Sequence, residues 1–382
     1  MTSGAVYLDN NATTAIDPRV LAVMEECWRT AFANPGSAHA FGRASRRVLE
    51  DSRESICAIL DAEPDELVFS SCVTESVNTA VYGLTRGRRG VMALTDGEHP
   101  AVRESCRHAA LDGWSTISIP VDSSGRIAQD RLSSLPWHDI RLTCLILAHN
   151  ETGVIQDTAS LANHCRSLGI PLVLDAVQAI GKIPVSFRAS QATAMAFAAH
   201  KFHGPRGVGG LLVRRGLRMP SLLHGGHQEH GRRAGTEAVP LIAGMARALE
   251  LWHSEMTERQ QRVQALRDYL QQGLRAQCAP VMIHGAQAPR LPNTLSIAFP
   301  GVPGEALLVS LHLAGIACSL GSTCASGSAE PAPSLLAMGV PAEICRSSVR
   351  FSLSHLNTMQ ELDTAMVQIS QIVKKLRKED AP

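Results

Sequence analysis

Short apolar runs alternate with helix-like segments between residues 67 and 213 of the chain. Continuous runs of this kind are typical of strands that are buried on both faces of a largely parallel sheet. The intervening segments, such as 158–168, have the composition of crossover helices, so the pattern predicts an α/β architecture. The predicted strands are 67–70, 91–94, 142–148, 172–174, 195–198 and 211–213.

Beyond residue 235 the apolar positions recur at helical spacing instead. The helices predicted there are 241–252, 257–277 and 362–376. Two further segments, 293–299 and 348–353, alternate between apolar and polar residues, so we expect half-exposed strands there. The change of pattern predicts a large α/β domain at 17–260 and a smaller α+β domain built from 1–16 and 261–382.

Composition narrows the class of protein. The 382 residues are 45% hydrophobic and 19% charged, which is typical of a soluble globular protein. A net charge of +1 gives no broad basic surface for nucleic acid, and no apolar run approaches the ~20 residues of a membrane span. The N-terminus lacks the pattern of a signal peptide, and ten dispersed cysteines fit a reducing compartment. We therefore expect a cytoplasmic protein that binds neither nucleic acid nor a membrane.

Lys201 and Asp175 are the most informative polar residues. Each follows a predicted buried strand, and a glycine-rich, basic turn comes after Lys201. This pairing suits pyridoxal phosphate, because the lysine can form a Schiff base and the carboxylate can keep the pyridine nitrogen protonated. A solvated lysine after a buried strand is the alternative that these two residues leave open.

Other polar residues also follow predicted strands, where ligands bind in open α/β sheets. Segment 70–78 opens a helix whose N-terminus would favour a phosphate, although Ser71 or Thr74 could instead serve as an ordinary cap. His99 could stack on a flat ring or have a purely structural role. The side-chain amides of Asn150 and Gln178 could bind a ring hydroxyl.

Arg350 and Cys324 complete the candidate site. The guanidinium of Arg350 could bind both oxygens of a carboxylate, and a surface salt bridge is the alternative. Cys324 stands in segment 319–328 among small residues, where a thiol could approach a substrate; an inert cysteine in a linker is the alternative. Histidines 224, 227 and 230 lie among glycines without suitable partners, so no metal site is predicted, and a basic loop facing an anion is favoured.

Together these segments resemble the cysteine desulfurases of the NifS/IscS group, within the class V aminotransferases and the pyridoxal phosphate enzymes of fold type I. The resemblance covers nearly the whole chain, from the motif at 7–14 through 34–39 to Arg350. It implies a large domain with a mostly parallel sheet and a smaller C-terminal α+β domain. It also implies conversion of L-cysteine to L-alanine, with the sulfur passed to an enzyme cysteine as a persulfide.

The resemblance implies a role for each candidate residue. Lys201 would carry the cofactor, Asp175 would contact the pyridine nitrogen, and His99 would stack on the ring and take part in catalysis. Cys324 would accept the sulfur. Asn150 and Gln178 would bind the ring hydroxyl, and Thr74 and His200 would bind the phosphate. Thr236 would bind the phosphate held by a second subunit. Asn11 and Arg350 would bind the substrate carboxylate.

The implied partners are a second copy of the chain and a sulfur acceptor, either an iron–sulfur scaffold or a tRNA-thiolation enzyme. Three residues depart from the family pattern beside the phosphate: Cys72, Val73 and Ala198. They suggest weaker cofactor binding. Two alternatives stay open: a selenocysteine or sulfinate lyase of the same family, and a non-catalytic sulfur carrier or scaffold.

Overall fold

The computed structural model of the chain describes residues 5–320 and 331–379. Its helices are α1 (Pro18–Thr30), α2 (Ala40–Leu60), α3 (Val73–Thr85), α4 (Pro100–Ala109), α5 (Ala159–Ser167), α6 (Phe187–Ser190), α7 (Val239–Ser254), α8 (Met256–Gln277), α9 (Gly304–Leu313), α10 (Pro333–Ala337), α11 (Ala342–Arg346) and α12 (Met359–Glu379). Its strands are β1 (Val6–Tyr7), β2 (Leu67–Ser70), β3 (Gly90–Leu94), β4 (Trp114–Ser118), β5 (Ile140–Ile146), β6 (Leu172–Asp175), β7 (Ala194–Ala198), β8 (Gly209–Val213), β9 (Met282–Ile283), β10 (Thr294–Ala298), β11 (Ile316–Ala317), β12 (Ser319–Leu320) and β13 (Ser348–Ser352).

Within these described residues, seven strands form a central sheet in the order β2-β8-β7-β6-β5-β3-β4. Strand β8 runs antiparallel to both of its neighbours, and the other neighbouring pairs are parallel. The predicted α/β fold with a mostly parallel sheet is confirmed. The sequence pattern missed the edge strand β4, because most of its residues are polar and exposed.

Strand β7 shows why the central strands are continuous apolar runs. Its alternate residues Ala194, Ala196 and Ala198 lie in an apolar cluster with residues of α3 and α4. Met195 and Phe197 lie in another cluster with residues of α2 and α7. Helices therefore cover both faces, and neither face leaves room for solvated side chains.

The small sheet has the antiparallel order β12-β13-β10-β9. The expectation that 293–299 and 348–353 form half-exposed strands is wrong, because every residue of β10 and β13 is buried. Their apolar residues pack in one cluster with α8 and α12. Thr294 of β10 and Ser352 of β13 bond to Asn11 of the N-terminal segment, so their polar side chains are also covered although the sequence alternates.

The N-terminal segment links the two sheets. Strand β1 pairs in parallel with β11, and Val6 and Leu8 join the apolar cluster that otherwise contains residues from 263 to 373. The chain then passes as residues 9–14 along the carboxyl ends of the central strands, where Thr14 N donates to His200 O over 2.9 Å. Among the described helices, none has the length and apolar character needed to cross a membrane.

Candidate active site

The loops after β5, β6 and β7 meet at the carboxyl edge of the central sheet, because neighbouring parallel strands end at the same side. Lys201 follows β7 and donates from Nζ to the carbonyl oxygens of Asn11, at 2.7 Å, and Ala12, at 2.8 Å. Gln178 follows β6 and donates from Nε2 to the same Asn11 oxygen over 2.9 Å. Asn11 Nδ2 donates to the carbonyl oxygen of Asn150, after β5, over 3.0 Å.

Asp175 lies at the end of β6 and is 1% exposed. Its Oδ1 accepts from the Val177 amide over 3.0 Å, whereas Oδ2 has no hydrogen-bond partner among the described residues. Burial raises the pKa of this carboxyl to about 6, opposed by the Val177 hydrogen bond and the charge of Lys201. A buried acceptor without a donor is unusual, so the atom fits a ligand that brings a hydrogen-bond donor.

His99 caps the N-terminus of α4, where its Nδ1 accepts from the Ala101 amide over 3.1 Å. The ring hydrogen therefore sits on Nε2. Burial, followed by the charge of Lys201, lowers the pKa of His99 to about 4, so the ring is neutral at physiological pH. The neighbouring Glu98 is fully buried, and burial raises its pKa to about 8.

Arg350 reaches the site from β13 and is buried, so the alternative of a surface salt bridge does not describe it. Its Nη2 lies 2.7 Å from Asp9 Oδ1, and its Nη1 donates to the carbonyl oxygen of Asn150 over 3.1 Å. Nε is buried and has no acceptor among the described residues. These bonds use two of the five guanidinium hydrogens, and the Nε hydrogen is among those left for an anionic ligand.

The side chain of Asn11 is already committed to the protein. Its two amide hydrogens go to Asn150 O, at 3.0 Å, and Thr294 Oγ1, at 2.9 Å, while Oδ1 accepts from Asn293 Nδ2 over 3.0 Å. In this arrangement Asn11 joins the loop after β5 to the small sheet. Donation to a substrate carboxylate would require one of those two bonds to break.

The start of α3 forms the opposite end of the site. Its N-cap is Cys72, whose side chain makes no capping bond, and Thr74 lies in the first turn. Glu75 Oε2 accepts from the Ser71 amide over 2.9 Å. Nδ1 of His200 lies 3.2 Å from a threonine hydroxyl of the N-terminal segment, and burial lowers the pKa of His200 to about 4. The first amides of a helix have no partner within the helix, so the start of α3 could hold an anion.

The histidine-containing loop is held in place by Glu229. The carboxylate of Glu229 accepts from Arg53 Nη2 at 2.8 Å and Nη1 at 3.0 Å, and Arg53 is buried with it. Farther along, Arg233 Nε lies 2.9 Å from Glu75 Oε1, so the loop reaches the start of α3. Thr236 lies exposed just beyond, on the segment that precedes α7.

Comparison with known proteins decides the family. The aminotransferase class-V family matches residues 6–364. The chain belongs to this family. It is 40% identical to "Cysteine desulfurase NifS" of Azotobacter vinelandii over 97% of this chain and 93% of the relative. It is 42% identical to "Cysteine desulfurase" of Enterobacter agglomerans, again over 97% of this chain and 93% of the relative.

Solved structures agree with the family assignment. A "NIFS-LIKE PROTEIN" superposes with a TM-score of 0.90 at 36% identity, covering 97% of this chain and all of that one. The NifS-like protein of Rickettsia africae gives a TM-score of 0.88 at 29% identity, covering 97% of this chain and 99% of its own.

Class-V aminotransferases and cysteine desulfurases depend on pyridoxal phosphate, and the site has matching groups. The unpartnered Oδ2 of Asp175 fits a protonated pyridine nitrogen, the amine of Lys201 fits the aldehyde, and the open start of α3 fits the phosphate.

Sequence reasoning missed two residues of the site and proposed one that cannot be placed. Asp9 holds Arg350 and accepts from Ser319 Oγ over 2.9 Å. Lys182 is buried and donates to Asn11 and Gln178. A charged residue four positions after Gln178, directly after a glycine, was the available signal for Lys182. Cys324 lies outside the described residues.

Proposed function

We propose that this chain is a pyridoxal-phosphate-dependent cysteine desulfurase that acts as a homodimer and collects sulfur on Cys324 as a persulfide. Curated cysteine desulfurases at about 40% identity over nearly the full chain support the activity. The observation that carries the proposal is that Lys201 and Asp175 both lie at the carboxyl edge of the central sheet, where Asp175 Oδ2 lacks a donor within the described residues.

The reaction balances without an external oxidant. L-cysteine and the Cys324 thiol give L-alanine and a Cys324 persulfide, so the Cβ–S bond of the substrate breaks and an S–S bond forms. Bound pyridoxal phosphate supplies the electron sink that makes this Cβ–S bond labile. Cys324 attacks the sulfur as a thiolate, and the substrate carbon takes up the proton.

The described residues provide binding and proton handling for this chemistry. Arg350 holds the substrate carboxylate with its spare Nε hydrogen, while Asp9 fixes the guanidinium plane. His99 presents a neutral ring with its hydrogen on Nε2. Lys201 Nζ, released from the carbonyl oxygens of Asn11 and Ala12, moves protons at the substrate carbons.

The proposal includes a homodimer, in which the exposed Thr236 of one subunit binds the phosphate held by the other subunit. Exposed aromatic residues also support burial against another copy: Trp28 is 52% exposed, Phe32 67% and Phe41 61%, and the last two rings are 5.8 Å apart. Sedimentation of the loaded protein tests this: a mass about twice 40.9 kDa supports the dimer, and 40.9 kDa contradicts it.

The sulfur acceptor completes the proposal. We place the protein in the cytoplasm, where an iron–sulfur scaffold or a tRNA-thiolation enzyme would receive the persulfide sulfur. Ten cysteines fit that reducing compartment, and nine of them are free thiols in the described residues.

The deciding experiment follows alanine and sulfur from L-cysteine in the cofactor-loaded protein. We expect stoichiometric alanine and sulfide in the presence of a reductant, and added sulfur on the Cys324 peptide by mass spectrometry. Cys324→Ser should carry no persulfide. Cys318→Ser is the matched control, because burial raises the pKa of Cys318 to about 12 and keeps that thiol protonated.

Three results would contradict the proposal. Sulfur found chiefly on Cys318 or Cys72 would overturn the role of Cys324. Alanine release that is unchanged in Cys324→Ser, and faster with selenocysteine or cysteine sulfinate than with cysteine, would favour a related lyase. Absence of both cofactor binding and alanine release would favour a non-catalytic carrier or scaffold.

A further inference from the structure

Lys182 is a buried cation-forming residue that the proposed chemistry does not use. Its Nζ donates to Asn11 Oδ1 over 2.9 Å and to Gln178 Oε1. Among the described residues, no carboxylate forms an ion pair with it, although buried lysines are normally paired with one. Burial lowers the pKa of Lys182 well below its ordinary value, and the charges of Lys201 and Arg350 add to this effect.

The backbone around Lys182 is built to bring it to this place. Gly181 has a φ of +78°, and a Cβ there would lie 2.2 Å from Phe202 Cβ, so only glycine lets the turn pack against the segment that carries Lys201. The carbonyl oxygen of Lys182 accepts from Gln260 Nε2 of α8 over 2.8 Å. The turn is therefore fixed from two sides.

The contacts of Lys182 determine which way the amide of Gln178 faces. Oε1 of Gln178 meets a donor, Lys182 Nζ, and Nε2 meets an acceptor, the carbonyl oxygen of Asn11, at 2.9 Å. A flipped amide would set donor against donor and acceptor against acceptor. Within the described residues Nε2 uses one hydrogen in this way, and its second hydrogen stays available for a ligand.

We propose that Lys182 is a positioning residue, which holds the Gln178 amide so that its second Nε2 hydrogen is donated to the ring hydroxyl oxygen of pyridoxal phosphate. This inference rests on the proposed function, because it takes the ring hydroxyl as the ligand of Gln178. Lys182 itself need not touch the cofactor. In this proposal its effect on the ring hydroxyl passes through the Gln178 amide, and that makes it separable by a double-mutant cycle.

The test titrates pyridoxal phosphate into apo-protein and measures the dissociation constant, without reference to turnover. The proteins are the parent, Lys182→Met, Gln178→Ala and the double variant. We expect Lys182→Met to weaken binding about tenfold in the parent, as loss of one hydrogen bond to a charged acceptor predicts. In the Gln178→Ala background the same change should weaken binding less than threefold. Lys374→Met, at an exposed lysine of α12, is the matched control and should bind as the parent does.

A second probe isolates the ring hydroxyl. With 3-deoxypyridoxal 5′-phosphate, which lacks this group, parent and Lys182→Met should bind within threefold of each other. The inference is overturned if Lys182→Met weakens binding by the same factor in both protein backgrounds or with both probes. It is also overturned if Lys182→Met binds pyridoxal phosphate as tightly as the parent.

If circular dichroism shows that Lys182→Met does not fold, Lys182→Gln takes its place in the cycle. Its amide keeps a donor, so it should bind pyridoxal phosphate within threefold of the parent; a tenfold loss independent of Gln178 contradicts the inference. Failure of the proposed function looks different. In that case the parent itself would neither bind the cofactor nor release alanine.

Discussion

The carboxyl edge of the central sheet and the interior of the small sheet both contain buried polar side chains, but these side chains differ in whether they have hydrogen-bond partners. In the small sheet, His284 Nε2 lies 2.9 Å from Ser348 Oγ, which in turn donates to the carbonyl oxygen of Ile344 over 2.7 Å. At the edge of the central sheet, Asp175 Oδ2 and Glu98 Oε2 have no partners among the described residues.

This difference distinguishes buried polar groups that pair within the protein from those that are placed to bind a ligand. A polar group that is paired inside the protein costs little, whereas an unpaired buried group is destabilising. Burial raises the pKa of Glu98 to about 8 and that of Asp175 to about 6. At pH 7 Glu98 is therefore held as a neutral acid and Asp175 as a carboxylate. Only the carboxylate can pair with a protonated pyridine nitrogen, so the edge is completed by the cofactor.

The largest effect should come from removing the amine at the edge. Lys201→Ala should reduce alanine release from L-cysteine to the uncatalysed background, because no other group replaces its attachment to the cofactor. The small sheet should be untouched, so circular dichroism should match the parent. The control Lys374→Ala should retain the parent rate. A cofactor adduct that borohydride still reduces in Lys201→Ala would contradict the assignment.

Removing the hydrogen-bond partner of a buried polar group in the small sheet should destabilise the folded protein. Ser348→Ala leaves the Nε2 hydrogen of His284 buried without an acceptor, so the free energy of unfolding should fall by about 1–3 kcal/mol. Urea unfolding of apo-protein measures this free energy. The control Ser160→Ala, on the exposed side of α5, should have a free energy of unfolding within about 0.5 kcal/mol of the parent. An unchanged midpoint for Ser348→Ala would show that this pair contributes nothing.

The smallest effect should come from adding a polar group to the edge. Ala198 is fully buried at the end of β7, at a position where the family resemblance leads us to expect serine. We expect Ala198→Ser to tighten pyridoxal phosphate binding about tenfold through one hydrogen bond to a charged group. Activity at saturating cofactor should change little. Equal dissociation constants would mean that Thr74, His200 and a bridging water already satisfy the phosphate.

The sequence predicted the central sheet, apart from β4, because its inner strands are apolar on both faces, and it singled out Asp175 at the end of β6 and Lys201 just after β7. It failed where burial depends on distant segments. Thr294 of β10 and Ser352 of β13 look solvated in sequence, yet they bond to Asn11, which lies 283 and 341 positions away. Lys182 was missed for the same reason, since only the fold shows that its partners are two amides.

The most direct test of this contrast between paired and unpaired buried polar groups compares the parent with Asp175→Asn. The free energy of unfolding of both apo-proteins is measured as a function of pH. The folded-state pKa of Asp175 is raised to about 6 from 3.8, so its ionisation destabilises the folded state as pH rises from about 4 to about 6. Asparagine keeps an oxygen for the Val177 amide but carries no charge.

At pH 8 we therefore expect apo Asp175→Asn to be more stable than the parent by on the order of 2 kcal/mol in urea unfolding. The difference should vanish near pH 4, where the parent carboxyl is protonated in the folded state. Saturating pyridoxal phosphate should reverse the order at pH 8, because only the carboxylate pairs with the ring nitrogen. Equal stability of the two apo-proteins at pH 8, or a less stable asparagine variant, would contradict the account.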